Sequence, residues 1–520
     1  MSRKVSRRRG RETAKPPRRE RQRAGQQLRQ QQRAQGLEAA CLPRRARRRQ
    51  VERPALPKAK SAWATVGEEQ AGRPQAVEEQ ARVFRSLLPR LLKRLAKIAD
   101  RRNPKTLPHP LTVVRVYGIL TFVFQRASRR EANRRMSRPQ FQENLGALFP
   151  ELESCPHQDR LNRRLADIEV EQLETAQLEL IGRRMRKKKF SRYLIERSYP
   201  VAMDGTQKLS RNLSGAEEWL KREVAAGEGG TRTQYYVYVL EAHLAFANGM
   251  TIPLLSEWLT GKLDDGQSKQ DCELKAFRRL ADRIKAAFPR LPILVLPDRL
   301  YPHGPIFELC RRYHWQFMIV LQDGSLPSVW EEVEGLPALQ PSQFLKQSWG
   351  HRRQHFWWVN AIEYRYGRHD SRQQILHVVV CEESWEELAE GSTQVVTKTS
   401  RHVWISSEPL SRRTVHERCN LGARHRWGIE NNFLVEKHHG YQYQHCFSTD
   451  WKALRGYHYL MQLGHRVNVL AQHTAVLAKL VRQFGVRGLL QLLGETVAGP
   501  WLKLDRLGQV LRLPYQLRLD

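Results

Sequence analysis

Residues 233–259, TQYYVYVLEAHLAFANGMTIPLLSEWL, hold two long apolar runs on either side of Asn248-Gly249. An Asn-Gly pair between such runs supplies the positive-φ positions of a tight hairpin turn, so the stretch predicts a long antiparallel pair of strands. Upstream, YPVAMDGT at 199–206 is a brief apolar run that ends in Asp204. Downstream, SKQDCELKAFRRLADRIKAAF at 268–288 opens with Ser268 and Asp271 at capping-box-like spacing and repeats Leu274, Phe277, Leu280, Ile284 and Phe288, the pattern of an amphipathic helix. LPILVLPD at 291–298 then reads as a buried strand ending in Asp298. PIFELCRRYH follows as a second helix and WQFMIVLQ as a further buried strand.

Three strands, a helix, a strand, a helix and a strand is the order of a ribonuclease-H-like α/β domain. We assign 196–319 to this core and 320–415, with alternating aromatic segments such as QHFWWVNAIEYRY and QQILHVVVC, to a β-rich insertion. Residues 416–482 complete the core, and 483–520 read as a C-terminal tail. Ahead of it, 75–195 is a helical region whose stripe of Phe84, Leu87, Leu88, Leu91, Leu92, Leu95 and Ile98 recurs at helix spacing. Its basic clusters, SRREANRR at 128–135 and RRMRKKKF at 183–190, suit a DNA-binding domain or a solvated surface. The most apolar window, LTVVRVYGILTFVFQ at 111–125, carries Arg115 and falls short of the about 20 residues that cross a bilayer, so it predicts a buried helix and no membrane partner.

Lys and Arg total 89 against 53 Asp and Glu, a net charge of +36 that draws polyanions at long range and makes nucleic acid the expected partner. The segment 1–74 reads as a basic arm. Its first 60 residues hold 21 Lys and Arg against four Asp and Glu, and with Gln and Pro between them they predict a disordered segment that neutralises phosphates without reading sequence, or one that only solubilises. Seven cysteines form no CxxC pair and no signal-peptide pattern opens the chain, which predicts a reduced, cytoplasmic protein.

Asp204 and Asp298 each close an apolar strand, and in open α/β sheets the chemistry gathers beyond the carboxyl ends of strands. On neighbouring strands their carboxylates would stand about a strand spacing apart, where repulsion demands a cation, and oxygen-only ligands suit Mg²⁺ or Mn²⁺. A third acid is offered by RHRWGIENNFLVEK at 424–437, where Arg426, Glu430 and Lys437 fall within about 60° of one another on a helix. Taken alone, that face is better explained by solvated i,i+4 pairing of Arg426 with Glu430.

The pieces MDGT at 203–206, DRLY at 298–301, and Arg426, Glu430 and Lys437 at intervals of four and seven resemble the DDE transposases of bacterial insertion sequences, in the group with the Tyr-Arg-Glu-Lys signature named after insertion sequence four. The resemblance covers about 85–482 and rests on three separated blocks in order. It implies a ribonuclease-H-like catalytic core, a β insertion between the second Asp and the Glu, two divalent ions held by Asp204, Asp298 and Glu430, and cut-and-paste movement of double-stranded DNA. It further implies a nucleoid-associated bacterial enzyme acting as a homodimer on DNA. Arg426, Lys437, Arg299 and Thr206 are then the candidate phosphate contacts. Trp349, Trp357 and Trp358, with Trp404, are candidate base-stacking aromatics, although core packing is the stronger expectation for most of them. The signature Tyr position is Ala423, so its phosphate-contacting hydroxyl is missing. Glu241 and Glu257, on the expected hairpin strands, are rival third acids without neighbouring cations. An endonuclease of the same fold without strand transfer, or a noncatalytic DNA-binding derivative, would share these features.

Overall fold

The structure is a computed structural model that describes residues 20, 22–28, 30–31, 63–97, 111–150, 152, 155–226, 230–261, 271–335, 343–390 and 392–520. The chain divides into two compact units, one built on Val320–Glu417 and the other on Arg53–Ile319 together with Arg418–Asp520. Most of the basic arm expected at 1–74 lies outside the described residues.

In the larger unit the helices Val66–Lys97 (α1), Leu111–Val123 (α2), Arg129–Met136 (α3), Pro139–Leu148 (α4), Gln158–Asp167 (α5) and Glu171–Arg186 (α6) precede the sheet. Helix α1 starts inside the stretch assigned to the arm. Its first turn closes a capping box, with the Glu68 N–H donating to Thr65 Oγ1 (3.2 Å) and the Ala64 N–H donating to Glu68 Oε2 (2.8 Å). Phe84, Leu87, Leu91 and Leu95 form its buried stripe. Arg115 of α2 is buried and donates to the Leu95 carbonyl, which ties the two helices together. Among the described residues no helix is long and apolar enough to cross a membrane.

The sheet of this unit contains Tyr199–Arg211 (β1), Leu220–Ala225 (β2), Thr231–Ala245 (β3), Thr251–Leu259 (β4), Ile293–Pro297 (β5) and Gln316–Val320 (β6). Strand β3 pairs antiparallel with β1 on one edge and with β2 and β4 on the other, while β5 runs parallel to β1 and β6 parallel to β5. Helices Glu273–Ala287 (α7) and Gly304–Tyr313 (α8) make the crossovers into and out of β5. The predicted hairpin is β3 and β4, with Gly249 at φ 83° in its turn. Strand β2 was not foreseen, because its exposed LKREVA segment has too few apolar residues to register as a strand. Strand β1 also runs past Asp204 to Arg211, so this acid lies inside a strand whose inner half is buried and does not close it. Helix α7 begins at Glu273 after Cys272, which makes no side-chain cap, and Ser268 lies outside the described residues.

The smaller unit holds Pro327–Gly335 (α9) and an antiparallel sheet of Phe344–Trp349 (β7), Arg352–Tyr366 (β8), Arg372–Leu388 (β9) and Val395–Ser406 (β10) in the order β7-β8-β9-β10. Its core gathers Phe356, Trp358, Val359, Val378, Val379, Val380 and Trp404.

After the chain returns to the larger unit come Trp427–His438 (α10), Trp451–Gln472 (α11), Leu477–Ala498 (α12) and Leu504–Arg512 (α13). Helix α11 is buried along almost its whole length, and Leu454 joins Leu209, Val237, Val239 and Trp258 in the core over the sheet. Against α2 it comes within backbone contact at Gly464, where a Cβ would lie 2.8 Å from Phe122 Cβ and 3.0 Å from the Ile119 carbonyl. The expected tail at 483–520 is instead helical and packed. Leu489, Leu490, Leu493, Val497 and Leu507 are buried, because their spacing gives α12 and α13 apolar faces.

Candidate active site

The β1–β5 ladder ends at the pair Met203 and Pro297, so Asp204, still within β1, and Asp298, the first residue past β5, follow it side by side. Each carboxylate is oriented by backbone. The Gly205 N–H donates to Asp204 Oδ1 at 2.8 Å and the Arg299 N–H to Asp298 Oδ1 at 2.6 Å.

The third element is delivered by an irregular turn. A π-helical segment, Glu417–Gly422, tightens into a 3₁₀ turn, Ala423–Arg426, and then into α10, which packs across β1. Arg418 anchors this return, fully buried and paired with Glu196 at 2.6 Å. Ala423, at the signature Tyr position, is buried in the 3₁₀ turn. Arg426 stands at the N-cap of α10, and its side chain is 4 % exposed.

All three expected acids meet on that guanidinium. Arg426 Nη2 lies 2.6 Å from Glu430 Oε1 and 3.7 Å from Asp298 Oδ1, while Nη1 lies 3.8 Å from Asp204 Oδ2. The i,i+4 pair of Arg426 with Glu430 is therefore present, but on a buried cation shared with the carboxylates of Asp204 and Asp298. Burial drives Asp204 up to about 7, reinforced by the Asp298 and Glu430 charges and opposed by Arg426. Arg426 Nε and Nη1 are buried with no hydrogen-bond acceptor, and the guanidinium lies 4.7 Å from the centre of the Trp427 ring.

Lys437, about two turns beyond Glu430 on α10, donates to Thr206 Oγ1 at 2.6 Å, two residues past Asp204 on β1. Burial lowers its ammonium from the usual range, against the charges of Glu241, Glu436 and Asp204. Thr206 is buried and Arg299 is exposed; the contact of Arg299 with Asp298 is made by its backbone.

The rival acids have other employment. Glu241 is fully buried and accepts from Tyr443 Oη (2.6 Å) and Gln462 Nε2 (3.0 Å), with His243 Nε2 at 2.7 Å. Glu257 pairs with Arg279 and Arg283, each at 2.6 Å. Trp358 and Trp404 are core residues of the smaller unit and present no face to a base, whereas Trp349 and Trp357 are half-buried.

Three residues beside the acids escaped the sequence reading. Glu273, in the first turn of α7, accepts from Tyr301 Oη at 2.6 Å and from Tyr238 Oη at 3.1 Å. Gly205 permits this approach, since a Cβ there would lie 2.5 Å from Tyr238 Oη and 2.8 Å from Glu273 Oε2. Tyr301 was visible only as the last letter of DRLY. Glu273 carried no signal, because an acid in the first turn of a helix is ordinary.

Among the described residues no group of three His, Cys, Asp or Glu side chains stands ready-made to hold a metal ion. The three acids are gathered on a guanidinium. As a donor set they remain oxygen-only, part-exposed and mutually repelling, the chemistry that accommodates a hard divalent cation.

No protein-family model matches the chain, and no curated protein matches it. Among solved structures it is similar to one described as a cryo-EM structure of piggyBac transposase in a synaptic complex with hairpin DNA, at 11 % identity over 87 % of each chain and a TM-score of 0.33.

Proposed function

We propose that the chain is a transposase that cuts DNA at the ends of a mobile element and joins them to target DNA by direct phosphoryl transfer. The observation that carries this reading is the meeting of Asp204, Asp298 and Glu430 on one buried Arg426, with Lys437 and Thr206 alongside. The sheet order β4-β3-β1-β5-β6, with β1, β5 and β6 parallel, supports a ribonuclease-H-like core. The blocks MDGT, DRLY and Arg426-Glu430-Lys437 support the insertion-sequence-four group of DDE enzymes.

Asp204, Asp298 and Glu430 would hold Mg²⁺ or Mn²⁺, two ions by the family resemblance. Such ions, when bound, activate the attacking water or 3′-hydroxyl and stabilise the leaving oxygen. The chain's own part is positional and electrostatic. Nε and Nη1 of Arg426 make no hydrogen bond, although Nη1 faces Asp204 Oδ2, so the guanidinium keeps donor capacity that a non-bridging phosphate oxygen would fill if the centre opened to admit it. Lys437 and Thr206 offer a second cation and a hydroxyl on the same side. The backbone bonds from Gly205 and Arg299 hold both aspartates; at Asp204 the bonded Oδ1 leaves Oδ2 towards Arg426, while at Asp298 the bonded Oδ1 is itself the oxygen nearest Arg426. Direct transfer needs no covalent enzyme intermediate, so no Ser or Cys nucleophile is required. The net charge of +36 favours nucleic acid as the partner, and the family resemblance implies double-stranded DNA engaged by a homodimer.

The test is a supercoiled-plasmid assay with Mg²⁺ or Mn²⁺, on plasmids with and without the element's terminal repeats. Transposition predicts divalent-dependent cutting confined to the repeats and joined products carrying a new junction. An endonuclease of the same fold would nick both plasmids and join nothing. Asp298→Ala should lose cutting while keeping DNA affinity, since loss of a negative charge cannot weaken phosphate attraction. Retained nicking by purified Asp298→Ala would eliminate this mechanism.

A further inference from the structure

We infer that Glu273 is a positioning residue for the two strand-borne aspartates, acting through the hydroxyls of Tyr301 and Tyr238; the inference rests on the function proposed above. Three elements meet at its carboxylate. Tyr301 belongs to the turn that begins at Asp298, and its backbone N–H donates to the Asp298 carbonyl at 3.2 Å while its hydroxyl donates to Glu273 Oε1. Tyr238, on β3, is the register partner of Gln207 in β1 and donates to the other oxygen, Oε2. Gly205, the neighbour of Asp204 whose N–H orients that acid, lies directly under Oε2.

One carboxylate thus ties the Asp298 turn to the stretch of β1 that carries Asp204. The Tyr301 ring is fully buried and packs 4.7 Å from the centre of Phe277, so its hydroxyl has a fixed origin. Glu273 is itself fixed at the start of α7, beside Asp271, which is held by Arg279. With both oxygens accepting from tyrosines, Glu273 has a bracing arrangement and not that of a fourth ligand. Supporting partners of this kind set the separation of the ligating oxygens, and their loss typically weakens metal affinity about 10–100-fold.

The experiment measures Mn²⁺ affinity of the full chain without DNA, by electron paramagnetic resonance of the free ion, in parallel with plasmid nicking. Glu273→Ala and Tyr301→Phe should each weaken Mn²⁺ binding about tenfold and lower kcat for nicking, with the KM for plasmid unchanged. Glu273→Gln keeps an acceptor for Tyr301 and offers its amide N–H to the Tyr238 hydroxyl, so it should stay within about twofold of wild type. Tyr301→Phe retains the ring against Phe277 and decides the question if Glu273→Ala fails to fold. Loss of Mn²⁺ by Glu273→Gln as complete as by Asp298→Ala would overturn the inference in favour of a direct ligand. Unchanged affinity in both Glu273→Ala and Tyr301→Phe would overturn it outright. A wild-type chain that binds Mn²⁺ without nicking would sink the proposed function and leave Glu273 to be judged on affinity. A wild-type chain that takes up no Mn²⁺ would overturn both.

Discussion

Asp204 and Glu241 face each other on one rung of the β1–β3 ladder, yet burial pushes Asp204 up to about 7 while hydrogen bonds hold Glu241 down at about 2. Like charges directly opposite are unfavourable in a sheet, and the two sites answer this differently. Glu241 is desolvated completely but is supplied with His243, His458, Tyr443 and Gln462. Asp204 is only partly desolvated and shares its one guanidinium with two other acids.

Asp204 should therefore gate cation binding by its protonation. Below about pH 7 a cation must displace a proton from it, so log affinity for Mn²⁺ should climb by about one for each pH unit and level off above 7. The sign for stability is the reverse. A carboxyl raised in the folded state favours folding only at low pH and loses that contribution as pH rises through about 7. Metal-free Asp204→Asn should melt above wild type at pH 8, and the gap should close towards pH 4. A gap that does not depend on pH would show that Asp204 titrates elsewhere.

Glu241→Gln should behave as a stability mutation and not as loss of a site. Removing a fully buried, multiply bonded carboxylate is expected to cost about 2–4 kcal/mol in urea unfolding. Because Glu241 is depressed to about 2, its contribution exists above the ordinary carboxylate range and drains as pH falls through about 2, so wild type and variant should converge in acid. Nicking by the folded fraction of Glu241→Gln should persist.

Arg426→Ala would leave three carboxylates without their common cation. A cost of about 1–3 kcal/mol is expected, discounted from that of a fully buried pair because the acids are 18 %, 27 % and 33 % exposed. Millimolar Mg²⁺ should recover part of the lost melting temperature, and more of it than in wild type. A variant indifferent to Mg²⁺ would contradict cation binding at this centre.

Deleting residues 1–60 should flatten the slope of log DNA affinity against log salt while preserving preference for cognate ends. A net charge of +17 offers phosphate contacts, and so Arg-, Gln- and Pro-rich a composition offers little apolar material from which to build a framework for reading base edges. A merely solubilising arm would leave the slope unchanged, and loss of end preference at fixed salt would make it a specific reader.

The hairpin at Asn248-Gly249, the strand before Asp298 and the amphipathic α7 were legible because turn chemistry and period are local properties. The grouping of Asp204, Asp298 and Glu430 was legible only as a hypothesis, from strand-terminal acids and a spaced triplet. Strand β2 and the folded 483–520 segment were not, since exposed polar strands and helices packed by a few leucines resemble loops and tails in sequence. The Tyr238–Glu273–Tyr301 brace could not have been read at all. Its members are separated along the chain, and each is unremarkable in its own element.

The excursion of the chain through Val320–Glu417 places Asp298 before it and Arg426 after it. During synthesis the strands bearing both aspartates leave the ribosome well ahead of the guanidinium that neutralises them. Until that later segment arrives, the two neighbouring acids lack the Arg426 counter-charge, so the charge balance of the site cannot be completed before the excursion has been made. A nascent chain arrested within the excursion would carry the scaffold of the site without its electrostatic keystone.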